Sequence, residues 1–101
     1  MAVIFTQEDR ALTAQIAGDL DHHAARGVID ALCRQIDQVL PKTLTIDMGG
    51  VTFMDSSGIA VLLRAKRQME MLGGSVAVHN VPRSALKVLV MSGIDRLIAV
   101  E

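Results

Sequence analysis

Apolar and polar positions along this chain repeat with two different periods. Residues 10–17, RALTAQIA, carry an apolar side chain at every second position from Leu12 to Ile16, which predicts a strand with one buried face. Residues 43–48, TLTIDM, alternate in the same way. Three shorter apolar segments predict further strands, at residues 2–6, 75–79 and 97–100. The first of them precedes the polar turn QED and should form a hairpin with the next strand.

Three other segments show the helical period, with apolar residues three or four positions apart. The first helix is predicted to begin after Asp21, a suitable N-cap, and to end at Pro41. The second is predicted over residues 57–72, and the third from Pro82 to about Met91. Both of these are followed by glycine, which easily takes the backbone conformation that ends a helix.

The predicted order of elements is therefore β-β-α-β-α-β-α-β. Strands that alternate with helices indicate βαβ units with parallel pairing and right-handed crossovers, while the first hairpin adds an antiparallel edge. We predict one α/β domain over residues 1–101, with a mixed, mostly parallel sheet of about five strands and helices mainly on one face. A chain of 101 residues has the usual size of one such domain.

Two segments that come after predicted strands carry most of the polar chemistry. They are predicted as loops, GDLD at 18–21 and GGVTFMDSS at 49–57. Loops that succeed neighbouring parallel strands lie on one edge of the sheet, and that edge usually carries function in α/β proteins. We therefore expect a polar cluster made of Asp19, Asp21, Asp55, Ser56 and Ser57.

Composition disfavours several classes of function. The net charge is −1 and only 2% of residues are aromatic, whereas nucleic-acid binding relies on basic surfaces and base stacking. No apolar run is long enough for a membrane helix, and the N-terminus lacks the features of a signal peptide. The single cysteine, Cys33, permits no internal disulfide. We expect a soluble, cytoplasmic protein that binds neither nucleic acid nor membrane.

The adjacent serines Ser56 and Ser57 allow three interpretations. Spacing alone favours helix capping, which requires only one serine. The other is then available to carry a phosphate, which the free N–H groups and the positive end of a helix stabilise. A catalytic nucleophile is disfavoured, because the sequence is not G-x-S-x-G and no acid is placed to orient a histidine base.

The segment Asp21-His22-His23 raises the question of a metal site. Neighbouring residues on a helix point in different directions, and no further cysteine or histidine completes a set of ligands. We therefore expect the solvated start of a helix here, with no metal and no cofactor.

The outer face of the second predicted helix is unusual. Residues 59, 62, 63 and 69 are expected to face the sheet. The opposite side would then carry Ala60, Val61, Arg64, Arg67, Gln68 and Met71. An apolar first half with a basic second half is typical of a partner-binding surface. A helix buried somewhat more deeply explains the same pattern.

Several segments together resemble the anti-sigma factor antagonists, small proteins of the STAS domain class. VTFMDSSGIAVLL resembles their signature, and AGDLDHHAA resembles the start of the first helix in sporulation-type members. GGSVAV and VMSGIDRLI match later segments of the family, so the likeness extends over nearly the whole chain. The chain differs at Gly49-Gly50, where a more polar turn is common, and we expect the final helix of many members to be absent or reduced.

The resemblance implies control by partner switching. An antagonist of this type binds an anti-sigma factor that is also a serine kinase, and thereby releases a sigma factor. The kinase phosphorylates the first serine of the box, here Ser56, which ends the binding, and a PP2C-type phosphatase removes the phosphate. The antagonist is itself not an enzyme.

We therefore expect a partner-binding surface around the DSSG box. It comprises Asp19, Asp21, His22, His23, Asp55, Ser56, Ser57, Gly58, Ala60, Val61 and Arg64. The alternative is a STAS component of a transporter or of another signalling complex without a kinase partner. The intact DSSG and DHH segments favour the antagonist.

Overall fold

The computed structural model describes residues 2–101. Its strands are β1 (Ala2–Glu8), β2 (Ala11–Leu20), β3 (Thr43–Met54), β4 (Ser75–His79) and β5 (Ala99–Val100). Its helices are α1 (His22–Val39), α2 (Ser56–Met71) and α3 (Arg83–Ser92), and a short 3-10 helix, Ile94–Arg96, precedes β5. Among residues 2–101, no helix has an apolar stretch that would span a lipid bilayer.

The strands form one sheet in the order of the sequence, β1-β2-β3-β4-β5. β1 and β2 pair antiparallel, and the remaining neighbours pair parallel. When every crossover steps to the next strand with the same handedness, the crossover helices all lie on the same face of the sheet. The predicted mixed sheet of five strands with helices on one face is confirmed.

The core lies between this covered face of the sheet and the helices. The residues at alternate positions in the middle strands are at most 1% exposed: Leu12, Ala14, Ile16, Leu44, Ile46 and Met48. The residues that alternate with them, Thr13 and Gln15 in β2 and Thr45 and Asp47 in β3, remain partly or fully exposed on the other face. The alternation of apolar and polar residues therefore reflects a sheet with one face buried against the helices and the other face exposed to solvent.

The two segments predicted as loops are largely strand. β2 continues through Gly18 to Leu20 and β3 continues through Gly49 to Met54. Their pairing extends to Leu20 opposite Met54 with two register shifts, whereas the pairing of β3 with β4 ends at Asp47 opposite His79. The ends of β2 and β3 therefore project beyond β4 as a two-stranded ribbon.

The glycine pair in β3 allows close approach of two strands and does not form the expected turn. A Cβ atom on Gly50 would lie 2.8 Å from the Cβ of Ala17. That distance is too short for two carbon atoms, so any larger residue would push β3 away from β2. Glycine inside a strand is typical of such a contact.

Candidate functional site

Two aspartates begin the helices at the end of the ribbon. Asp21 is the N-cap of α1, as predicted, and its Oδ1 accepts a hydrogen bond from the N–H of Ala24 at 3.0 Å. Asp55 is the N-cap of α2, and its Oδ1 accepts from the N–H of Ser57 at 2.8 Å. The expectation that a serine caps the second helix is therefore wrong, because the aspartate before the serines does so.

The serines occupy the first two positions of α2. Ser56 is exposed and Ser57 is half-buried. The prediction that Ser56 precedes the helix is wrong by one residue, since the helix begins at Ser56. Within residues 2–101, no hydrogen bond involves the Ser56 hydroxyl. This hydroxyl has no structural task and is open to solvent.

Asp55 places a negative charge directly beside Ser56. The N–H of Ser57 donates to the Asp55 carboxylate and lowers its pKa, and the Ser57 hydroxyl and His22 act in the same direction. Desolvation opposes this lowering of the pKa and is weaker than the effect of the Ser57 N–H. Since the pKa of the carboxyl lies below its ordinary value of 3.8, Asp55 is ionised at neutral pH.

Hydrogen bonds across the ribbon bring the two helix starts together. The hydroxyl of Thr52 donates to Oδ1 of Asp19 at 2.6 Å, and the N–H of Asp55 donates to the carbonyl of Leu20 at 3.4 Å. The residue after Leu20 is the cap of α1. The structure thus gathers the five residues of the expected polar cluster at one end of the molecule, Asp19, Asp21, Asp55, Ser56 and Ser57.

His22 and His23 are the first two residues of α1, and both are exposed. Their ring centroids are 5.7 Å apart in an edge-on arrangement. Together with Ser57 and two arginines they line an open groove of ≈ 810 Å³ between α1 and α2. No hydrogen bond joins either ring to a serine hydroxyl among residues 2–101. The same residues include no group of three side chains that would hold a metal ion.

Two residues expected on the partner-binding surface are buried instead. Val61 is 0% exposed and belongs to the core. Gly58 is buried against Met54, where a Cβ atom would lie 2.7 Å from the Met54 Cγ. Conversely, Leu63 was expected to face the sheet and is 41% exposed. The expectation fails because α2 packs against α1 as well as against the sheet, which rotates its buried face toward Val61.

The remaining expected residues of α2 are accessible. Ala60 and Arg64 are exposed and line the groove beside α1. Sequence reasoning missed Phe53, which is 51% exposed on the ribbon two residues before the cap of α2. Its rarity was the available signal, because the chain has only two phenylalanines and no other aromatic residue except histidine. Aromatic side chains that remain exposed are enriched in protein interfaces.

Comparison with known proteins identifies related chains. The STAS domain family matches residues 2–101. A curated anti-sigma F factor antagonist of Lysinibacillus sphaericus is 31% identical over 80 residues, which cover 79% of this chain and 68% of the relative. An anti-sigma F factor antagonist of Paenibacillus polymyxa is 28% identical over 93 residues, covering 88% of this chain and 76% of the relative.

Solved structures agree over nearly the full length. The anti-sigma factor antagonist SpoIIAA in its unphosphorylated form is 25% identical with a TM-score of 0.85, covering 99% of this chain and 88% of that one. The phosphorylated form of the Bacillus cell fate determinant SpoIIAA is 25% identical with a TM-score of 0.75, covering 99% of this chain and 91% of that one. An anti-sigma factor antagonist from Mycobacterium paratuberculosis, 18% identical with a TM-score of 0.88, covers 98% of this chain and 83% of its own. At that identity the last comparison concerns the fold alone.

Proposed function

This chain belongs to the STAS domain family, and we propose that it is an anti-sigma factor antagonist. Such a protein binds an anti-sigma factor and thereby frees a sigma factor for transcription. The curated relatives that carry this name support the proposal. Because antagonists of this kind act by binding, the chain is a binding protein and not an enzyme.

The single observation that carries a phosphorylation switch is the exposed hydroxyl of Ser56 at the start of α2. Asp55 caps the helix, so modification of Ser56 removes no structural hydrogen bond. The positive dipole end of α2 stabilises a phosphate on the isolated protein. We assign Ser56 as the residue that a serine kinase modifies.

The same phosphate opposes binding to the partner. A phosphate adds about −1.5 to −2 charge at neutral pH, beside the ionised Asp55 and at the same end of the molecule as Asp19 and Asp21. A charge that loses water in an interface without gaining a partner costs several kcal/mol. Since about 1.4 kcal/mol is tenfold in affinity, the modified protein should bind a hundredfold less tightly or worse.

The proposed cycle has three components. The unmodified chain binds an anti-sigma factor that is also a serine kinase, through the ribbon, the starts of α1 and α2, and the exposed residues Ala60 and Arg64. The kinase modifies Ser56 and the complex separates. A PP2C-type phosphatase returns the chain to its binding form. SpoIIAA, which is 25% identical to this chain, has been solved in an unphosphorylated and in a phosphorylated form, which supports phosphorylation of this chain as well.

The experiment is incubation with the anti-sigma kinase encoded in the same genome and with ATP, followed by intact mass measurement. We expect wild type to gain one phosphate and Ser56→Ala to gain none. Ser84→Ala is the matched control, because Ser84 is an exposed serine near the start of α3, and it should gain one phosphate. Equal phosphorylation of Ser56→Ala would refute the assignment.

A further inference from the structure

A groove runs along the contact between α1 and α2, and we call it the α1–α2 groove. Three adjoining cavities of ≈ 810, ≈ 300 and ≈ 270 Å³ share Arg64 as a lining residue and form it. The α2 residues that line it are Ser57, Ala60, Leu63, Arg64, Arg67, Gln68 and Met71. These positions are three or four residues apart and therefore share one face of the helix. From Ser57 to Met71 the groove is roughly 21 Å long at about 1.5 Å per residue.

The groove combines an apolar floor with arginine side chains. Ile29 of α1 and Ala60 and Leu63 of α2 line one of its cavities together with Arg64 and Arg67. Within residues 2–101, two ion pairs occur, Lys66 with Glu70 and His79 with Glu101, and neither involves an arginine. The guanidinium groups along α2 are therefore free to bind carboxylates, for which their fork geometry is suited.

The acidic residues of the groove lie on the α1 wall. Asp37 accepts a hydrogen bond from Nε2 of Gln68 at 2.7 Å, so it already has a partner. Asp30 is exposed near the histidine end, on the same wall as Arg26. Positive charge is thus concentrated along α2, while α1 carries charges of both signs. A ligand with carboxylates on one side fits this asymmetry in one orientation only.

Resting on the proposed function, we infer that the α1–α2 groove binds an acidic amphipathic helix of the anti-sigma factor. Its apolar face lies on Ile29, Ala60 and Leu63, and its carboxylates contact Arg64 and Arg67. Binding of an amphipathic helix in an apolar groove is a recurrent mode of recognition. The groove is continuous with the proposed phosphorylation site, because Ser57 and His22 line its first cavity.

If an acidic helix occupies the groove, a phosphate on Ser56 weakens binding of the anti-sigma factor in a second, electrostatic way. A helix that bears carboxylates and fills the groove would approach Ser56 at the open end, beside Asp55. A phosphate on Ser56 would then repel the bound helix itself, in addition to losing water in the interface. Like charges brought together in an interface oppose association.

The test measures binding of the anti-sigma factor from the same genome by calorimetry, at low and at high salt. Arg67→Glu should weaken binding by at least about tenfold, since reversal of a charge facing carboxylates is repulsive, and should flatten the dependence on salt. Arg67→Lys keeps the positive charge but loses the forked guanidinium group. Its affinity for the anti-sigma factor should therefore lie between those of wild type and Arg67→Glu. Lys42→Glu is the control, because Lys42 is exposed just before β3 and lines none of the three cavities, and it should bind as wild type does.

Failure of this inference and failure of the proposed function are distinguishable. If Ser56→Asp abolishes binding while Arg67→Glu binds like Lys42→Glu, the groove is not the docking site and the proposed function remains. If the anti-sigma factor does not bind wild type at all, both proposals are refuted. Because Arg67 is exposed and has no ion pair within residues 2–101, Arg67→Glu should unfold at the same temperature as wild type.

Discussion

The helices α1 and α2 begin with the same kind of cap and differ in the two residues after it. Each is capped by an aspartate, Asp21 or Asp55, whose carboxylate accepts a backbone N–H of the first turn. A pair of polar residues comes next in both, two histidines in α1 and two serines in α2. Since the aspartates satisfy the backbone in both helices, neither pair is needed for capping, and both are available for other chemistry.

The difference between the two starts lies in the chemistry of the pairs. A serine forms a stable phosphate ester, and the ester adds negative charge beside the ionised cap of α2. The histidines carry no negative charge, and their rings line the groove in which we place the partner's helix. In the proposed mechanism, α2 therefore supplies the switch and α1 supplies part of the binding surface.

The largest expected effect comes from placing a fixed negative charge at each helix start. Ser56→Asp should weaken binding of the anti-sigma factor by about a hundredfold, or about 2.8 kcal/mol, because the new carboxylate lies beside Asp55 in the interface. His22→Asp occupies the equivalent position of α1 and should have a smaller effect. Calorimetric titration of both variants measures the difference. Equal losses would show that any negative charge at this edge suffices and that α2 has no special role.

A smaller effect is expected when each cap is removed. Asp55→Ala and Asp21→Ala should each lower the free energy of unfolding by about 1 kcal/mol, within the range of about 0.5–2 kcal/mol for loss of an N-cap. Asparagine caps helices about as well as aspartate, so Asp55→Asn and Asp21→Asn are the matched controls. Urea denaturation followed by circular dichroism gives the values. A Ser57→Ala variant less stable than Asp55→Ala would mean that the serine is the cap after all.

The strands with alternating apolar and polar residues could be predicted from the sequence, because the alternation can be seen within each strand alone. Leu12, Ala14 and Ile16 are apolar since one face of β2 is buried, and that periodicity is visible without knowledge of any neighbour. The ribbon could not be predicted in this way. In the sequence alone, Gly50 is typical of a turn. The structure gives a different reason for glycine at this position: a Cβ atom there would lie 2.8 Å from the Cβ of Ala17 on the neighbouring strand β2.

The sequence also did not identify which residues of α2 face outward, because this depends on the packing of α2 against another helix. Val61, Leu62 and Leu63 are consecutive apolar residues, so their hydrophobicity does not indicate which of them faces out. Val61 and Leu62 are 0% exposed while Leu63 is 41% exposed, because α1 covers one flank of the helix. The position of the DSSG box at the sheet edge could be inferred from topology, whereas its proposed role as a phosphorylation site rests on the family resemblance.

The smallest expected effect concerns the charge of the α2 cap and its dependence on pH. The N–H of Ser57 lowers the pKa of Asp55 in the folded chain relative to its ordinary value of 3.8. The ionised carboxylate therefore stabilises the fold at pH values above the ordinary value, and this contribution is lost as the pH falls through the lowered pKa. Asp55→Asn keeps the cap and has no carboxyl to titrate.

The measurement is the free energy of unfolding of wild type and Asp55→Asn in urea, from neutral pH down to pH values below the ordinary pKa of aspartate. Wild type should be more stable than Asp55→Asn at neutral pH, and the difference should shrink as the solution becomes acidic, because only the wild-type cap gains a proton. Asp9→Asn is a suitable control, since Asp9 is exposed in the turn between β1 and β2. A stability difference that stayed constant with pH would show that the charge of Asp55 does not stabilise α2 and that its cap acts through the hydrogen bond alone.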